Sequence, residues 1–221
     1  MKGQAIEIIP TIVPASLAEV GEVSERYALF ASFFQIDVAD GVFAPNTTWL
    51  PSLGDTLPRN FGYEVHLMVA EPRSIGTLFA KAGARRLIVH VETLRDVESS
   101  KQMFEEWKSA GVESVGIAAL FQTPLERLEP YLLLVDFVQL MTIARIGVQG
   151  IPYDASAPAR VAQFREQHPD VLISIDGGVA ESNIQELARA GASRFGVGSA
   201  ISRATESAAA YQRLLDLANS A

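Results

Sequence analysis

The chain has 221 residues, 48% of them hydrophobic and 20% charged, with 16 Gly and 11 Pro; this balance is ordinary for a globular protein and too apolar for a disordered one. Its formal net charge is −8 and it has no cysteine, which excludes a disulfide framework, a thiolate nucleophile and any Cys-based metal site. No Lys/Arg cluster offers the basic face that nucleic acid requires, so an anionic ligand must be held by a local device against the overall field. Glu7, Pro10 and Pro14 interrupt the apolar start of the chain, and the most apolar later run, 131–144, contains Asp136 and Gln139. Neither a signal peptide nor a membrane span is expected, and the location is expected to be cytoplasmic.

Short β-branched or aliphatic runs alternate with longer polar segments of helical pattern. The predicted strands are 6–13, 33–38, 63–69, 86–91, 114–119, 134–141, 171–175 and 194–197. Predicted helices between them include 96–110, with Phe104 and Trp107 at helical spacing, and 181–190. Gly83, Gly111 and Gly191 each follow a helical segment and lead into the next strand, where a positive φ is often needed. Eight strands alternating with eight helices, without a linker or a break in composition, predict one domain over 1–221. Its expected fold is a closed (β/α)8 barrel of the TIM type, with an open doubly wound sheet as the structural alternative.

Alternation along barrel strands sends every other residue inward. Ile36 and Val38 then face the helices, while Gln35, Asp37 and Ala39 share the interior. The same rule points Glu64, His66 and Met68 inward, together with His90, Glu92, Gln139, Met141, Ser174 and Asp176. Polar groups from five strands thus converge near strand C-termini, where barrel active sites lie.

Asp37 and Asp176 come from strands two and seven, on opposite sides of the ring. Two carboxylates flanking a substrate can take a proton from one face of a carbon and return one to the other. A neighbouring carbonyl would hold the charge as an enediolate, and a divalent cation held by Asp37, His66 and Asp176 would stabilise it. The plainer reading is that each Asp ends a strand and turns a loop. Gly177 and Gly178 follow the seventh strand, while Gly198 and Ser199 follow the eighth. Exposed backbone N–H groups there would make an anion nest, which predicts a phosphorylated ligand; a tight turn is the alternative for either pair alone.

The stretch Asp37-Val38-Ala39-Asp40-Gly41-Val42-Phe43-Ala44-Pro45-Asn46 resembles the H-x-D-x-M-D-G-x-F-x-P-N signature of the ribulose-phosphate 3-epimerase family. Val65-His66-Leu67-Met68-Val69 resembles its third-strand motif, His90-Val91-Glu92 its fourth-strand segment, and Gly116-Ile117-Ala118 with Thr123-Pro124-Leu125-Glu126 its fifth unit. Ser174-Ile175-Asp176-Gly177-Gly178-Val179 and Gly198-Ser199-Ala200-Ile201 resemble its last two segments. The resemblance implies a (β/α)8 barrel that epimerises a ketopentose phosphate at C3 through an enediolate, with D-ribulose 5-phosphate and D-xylulose 5-phosphate as the default pair. It makes Asp37 and Asp176 the acid/base pair and, with His66, ligands of one divalent cation: Zn, Mn, Mg or Fe. Thr11 falls where the family has a substrate-contacting Ser.

Three positions depart from that pattern. Gln35 replaces a second metal-binding His; an amide oxygen is a harder ligand, which favours Mg²⁺ or Mn²⁺ over zinc if metal is held at all. Ala39 replaces a Met and enlarges the pocket, whereas Met68 and Met141 keep the other two sulfur positions. After strand six the family's N-P-G-F-G-G-Q becomes Thr142-Ile143-Ala144-Arg145-Ile146-Gly147-Val148-Gln149-Gly150. Gly147 and Gly150 remain for phosphate, and Arg145 is either a new phosphate contact or a solvated surface charge. His90 and Glu92 read either as groups that support the site residues from behind or as a satisfied structural pair, Asp40-Gly41 reads as turn chemistry, and His168 and Asp170 as inert residues at the far end of the barrel. Trp49 either walls the pocket or packs.

Two other functions stay open. One is an epimerase or isomerase of a different phosphorylated ketose; the other is a sugar-phosphate-binding paralogue with impaired catalysis. Related barrel decarboxylases carry Asp-x-Lys-x-x-Asp on the third strand, and Glu64-Val65-His66-Leu67-Met68-Val69 has no such lysine. Association into a homo-oligomer is a further open expectation.

Overall fold

The structure, a computed structural model, describes residues 5–147 and 151–221. Gly150, expected at the phosphate, lies outside the described residues. The apolar runs form β1 (Glu7–Ile12), β2 (Phe33–Ala39), β3 (Gly62–Met68), β4 (Arg86–His90), β5 (Ser114–Ala119), β6 (Phe137–Met141), β7 (Ile173–Asp176) and β8 (Arg194–Val197). All neighbours are parallel, and β8 pairs with β1, closing the barrel in chain order. Asp176 is itself the last residue of β7, and β6 starts late because Leu134 still turns back onto Tyr131 (N–H···O 2.8 Å).

The helices are α1 (Leu17–Tyr27), α2 (Pro72–Ala82), α3 (Val97–Ser109), α4 (Ala157–Gln167), α5 (Ile184–Arg189), α6 (Ser199–Ser202) and α7 (Ser207–Asn219). Asp96 caps α3 by accepting the Ser99 N–H at 2.8 Å, and Gly83, Gly111 and Gly191 take φ of 102°, 109° and 113° at helix ends. The expectation of eight helices, one per strand, is corrected at two connections. Residues 40–61 carry Pro45, Pro51 and Pro58 and form no helix, and between β5 and β6 Pro124 and Pro130 allow only the 3₁₀ turns Leu125–Arg127 and Glu129–Tyr131. The helix expected over 181–190 starts only at Ile184, because Asn183 bridges the preceding turn through Ala180 N–H and Gly178 O, each at 2.9 Å. Among the described residues, no helix is long and apolar enough to cross a membrane.

Ile36, Val38, Val65 and Leu67 pack under the helices in one large apolar layer, as alternation requires. Trp49 joins that layer edge-on to Phe79 (5.5 Å between ring centroids), so it packs rather than walls a pocket. The interior is stacked in tiers. At the N-terminal mouth Arg86 reaches Glu7 (3.1 Å) and Glu64 (3.4 Å), Arg194 reaches Glu7 (2.9 Å), and the two guanidiniums lie over Phe33 and Phe137. Above them Ile88, Ala118 and Phe137 fill the middle, the Phe137 ring occupying the space left by Gly116. Ser174 donates to Gln139 at 3.2 Å in the interior. The next tier is the site.

Candidate active site

Strand register places the inward polar residues side by side: Gln35 pairs with Glu64, Asp37 with His66, and Ala39 with Met68, while Met141 pairs with Asp176. The closed ring then brings Asp37 and Asp176 together from strands far apart in sequence. Gln35 Nε2 donates to Asp37 Oδ1 at 2.8 Å and to Asp176 Oδ2 at 3.2 Å. His66 Nδ1 lies 3.0 Å from the same Asp176 oxygen and 3.4 Å from the same Asp37 oxygen. Asp37, His66 and Asp176 each present one ligand atom, all within 4.8 Å of one another. The pair expected from the sequence therefore faces a shared space, with the imidazole beside it.

Burial sets the protonation chemistry. Asp37 is raised above the ordinary carboxylate range by burial and by the charge of Asp176, against the pull of His66 and Gln35. For His66 burial works against the charged form, but contacts with Asp176 and Asp37 outweigh it and raise the ring to about 9. Gly196 contributes by its lack of a side chain, since a Cβ there would lie 3.2 Å from Gln35 Oε1 and 3.3 Å from Asp176 Oδ1.

Behind His66 runs a second row. His66 Nε2 meets His90 Nε2 at 2.8 Å, and His90 Nδ1 meets Glu92 Oε2 at 3.2 Å. Glu92 Oε1 accepts from the Leu120 backbone N–H at 2.9 Å and from the Thr123 hydroxyl. Burial lowers His90 to about 4; Glu92, despite burial, falls to about 2 under its hydrogen bonds from His90, Thr123 and Leu120. In the sequence His90 and Glu92 stand as a pair; the structure ties that pair directly to His66.

A cavity of about 460 Å³ opens over the carboxylates, within the size range of small-molecule sites. Its lining includes Asp37, Asp176, Met68 and Met141 together with Val13, Asn46, Ile143, Ile146 and Gly147. Ala39 packs with Met68, Met141, Ile143 and Ile146 at the same mouth. The connection after β6 folds back over the site, with Thr142 N–H donating to Asp176 O at 3.0 Å and Ile143 bridged to Tyr153. Gly177 and Gly178 have φ of 108° and 67°, conformations that favour glycine, and Ile143 sits against Gly177 where a Cβ would be. Gly178 and Ser199 are exposed, and Thr11 lies against Gly198 at the start of α6.

Arg145 is exposed and is not part of the cavity lining. Asp40 serves the turn: its carboxylate accepts N–H groups from Val42, Phe43 and Ala70 at 2.9, 3.0 and 2.7 Å. His168 binds Glu129 at 2.8 Å, away from the site. The lining role of Val13, Asn46, Ile143 and Ile146 is not evident in the sequence. Asn46 stands inside the signature stretch, and its buried Oδ1, which lies against Gly147, has no hydrogen-bond partner among the described residues.

Fold and site together define the class first: a (β/α)8-barrel enzyme whose acidic centre lies at the C-terminal ends of the strands. The sequence model of the ribulose-phosphate 3-epimerase family matches residues 7–202. The ribulose-phosphate 3-epimerase of Escherichia coli K12 is 32% identical over 203 residues, covering 88% of each chain. That of Bacillus subtilis is 31% identical over 204 residues, covering 89% of this chain and 92% of its own. The chain belongs to the ribulose-phosphate 3-epimerase family, and it is an isomerase. Solved structures of similar fold include KGPDC from Streptococcus mutans, with a TM-score of 0.72 at 11% identity over 98% of this chain and 99% of that one. The 3-keto-L-gulonate-6-phosphate decarboxylase from Vibrio cholerae gives 0.68 at 13% identity, over 96% and 98%. At such identity the likeness is one of fold alone.

Proposed function

We propose that this protein interconverts D-ribulose 5-phosphate and D-xylulose 5-phosphate by moving a proton at C3. The observation that carries the reading is the pair of carboxylates, Asp37 and Asp176, lining one cavity and sharing contacts with His66 and Gln35. One carboxylate takes the C3 proton as the C3–H electron pair moves toward the C2 carbonyl, giving an enediolate. The other then protonates C3 on the opposite face, and the configuration inverts. Burial and the charge of Asp176 favour the protonated form of Asp37, the direction expected of a group that carries a proton during turnover.

The donor set fits a divalent cation. Two carboxylates and an imidazole converge on one point, and His66 Nδ1 is buried out of line for a hydrogen bond to either Asp. Gln35 Oε1 is likewise buried without a hydrogen-bond partner among the described residues, and half a turn of the amide would bring this oxygen to the carboxylates as a fourth donor. Such an oxygen-rich set favours Mg²⁺ or Mn²⁺. When bound, the cation supplies positive charge to the developing enediolate oxygens. Without it Gln35 N–H and His66 hold the two carboxylates in place.

The turn Gly177–Gly178, buried at Gly177 and exposed at Gly178, the start of α6 at Gly198–Ser199, and Gly147 form the proposed phosphate cradle, and the exposed Arg145 is its proposed charged contact. Thr11, Ala39, Met68 and Met141 shape the sugar end. Turnover of a panel of C4 to C6 ketose phosphates tests the reading. Ribulose 5-phosphate should give the highest kcat/KM; a clear preference for another ketose phosphate, or no turnover with any divalent metal, overturns it.

A further inference from the structure

We propose that Glu92, acting through His90, is a positioning residue that holds a proton on Nε2 of His66 and so makes Nδ1 the ring nitrogen offered toward Asp37 and Asp176. One group in this row has a direction that cannot change. The Leu120 backbone N–H is always a donor, and it meets Glu92 Oε1 at 2.9 Å. The Thr123 hydroxyl reaches the same oxygen, and Arg160 holds that turn by donating to Leu120 O at 3.3 Å and Thr123 O at 2.6 Å. The carboxylate is therefore anchored by one oxygen and presents the other, Oε2, to His90 Nδ1 at 3.2 Å.

An acceptor at that point requires the His90 proton on Nδ1. His90 Nε2 is then a lone pair, so the 2.8 Å contact between the two Nε2 atoms requires the proton on His66. Both rings are fully buried, and Phe43 lies 5.0 Å from the His90 ring centroid, so bulk water does not reach the contact between the two rings. The proton on His66 Nε2 is thus assigned, so Nδ1 is the ring nitrogen that faces the carboxylates and the one that sheds its proton when a cation binds. The device works three side chains away from the carboxylates.

The proposal rests on the reading of His66 as a ligand but not on which sugar is turned over. Glu92→Gln tests it with an isosteric side chain. Leu120 N–H will hold the amide oxygen, which turns the NH₂ toward His90 Nδ1 and reverses both rings. His66 then carries its proton on Nδ1, facing the carboxylates. In metal-free protein, two-bond ¹H–¹⁵N correlations should show His90 as the Nδ1–H tautomer in the unmodified chain and as the Nε2–H tautomer in Glu92→Gln. Thr123→Val, which leaves the Leu120 donor in place, should keep the unmodified pattern. Mn²⁺ affinity, read from the EPR signal of the free ion, should fall about 10–100-fold in Glu92→Gln. An Nε2–H tautomer of His90 in the unmodified protein overturns the proposal by itself, even if no variant folds. So does a Glu92→Gln protein that binds Mn²⁺ as tightly as the unmodified one, or a reversed tautomer in Thr123→Val. None of these readouts uses epimerase activity, so the tautomer assignment and the choice of sugar fail separately.

Discussion

At the N-terminal mouth of the barrel, Glu7 and Glu64 meet Arg86 and Arg194, two carboxylates against two guanidiniums. At the C-terminal mouth Asp37 and Asp176 share a single imidazole, His66, with a neutral amide, Gln35, alongside. The lower network balances its own charge and is packed against Phe33 and Phe137. The upper one is short of positive charge and opens on a cavity. Charge buried in balance closes one end of the barrel; charge buried in deficit at the other leaves a place for something from outside.

The largest expected effect separates the ends by activity. Asp37→Asn and Asp176→Asn should each lower kcat by about 10³-fold or more while the melting temperature holds, because an acid/base group is removed without a change of volume. A variant of either that keeps most of its kcat would break the assignment. The mirror experiment is Arg194→Met, which leaves Glu7 and Glu64 short of a partner. Urea unfolding should show a loss of about 3–5 kcal/mol, with kcat of the folded enzyme unchanged.

The lower end also carries a pH signature. Burial raises Glu64 to about 7 against the pull of Arg194 and Arg86, and Glu7 adds to the rise. The folded state then holds a proton that the unfolded state releases near its ordinary value, so the contribution is complete below about pH 4.5 and is lost as pH climbs through about 7. Measured against Glu64→Gln, the unmodified protein should lose about 3 kcal/mol of stability between those limits. Parallel stability curves for the two proteins would contradict this. The smallest effect concerns the loop after β6. If Arg145 reaches the phosphate from its exposed position, Arg145→Ala should raise KM about fivefold, the worth of about 1 kcal/mol for an exposed charge contact, with kcat unchanged.

The upper mouth is far more legible in the sequence than the lower. Gln35, Asp37 and Ala39 alternate with aliphatic Ile36 and Val38, so a period of two is enough to turn the polar residues inward, and the glycines after β7 and β8 stand out against β-branched neighbours. Alternation turns Glu64 inward as well but does not name its partners. Glu7, Arg86 and Arg194 each begin a different strand, and only the closed ring makes them neighbours. For the same reason the sequence leaves His90 and Glu92 between a supporting role and a local pair, since the contact to His66 depends on register between β3 and β4. The apolar lining from Ile143 and Ile146 is hidden too, because these residues sit in a connection with no periodicity to orient them. The missing helices after β2 and β5 follow from prolines spaced too closely for a helix to grow.

The central claim is that two carboxylates at the C-terminal mouth handle one proton from opposite faces of C3. Turnover of ribulose 5-phosphate in deuterated solvent, with both pentulose phosphates analysed at C3, tests it most directly. The unmodified enzyme should place solvent deuterium at C3 of the inverted product, and Asp37→Asn and Asp176→Asn should each abolish inversion. Inverted product free of solvent deuterium, or inversion at the full rate by either variant, would contradict the account.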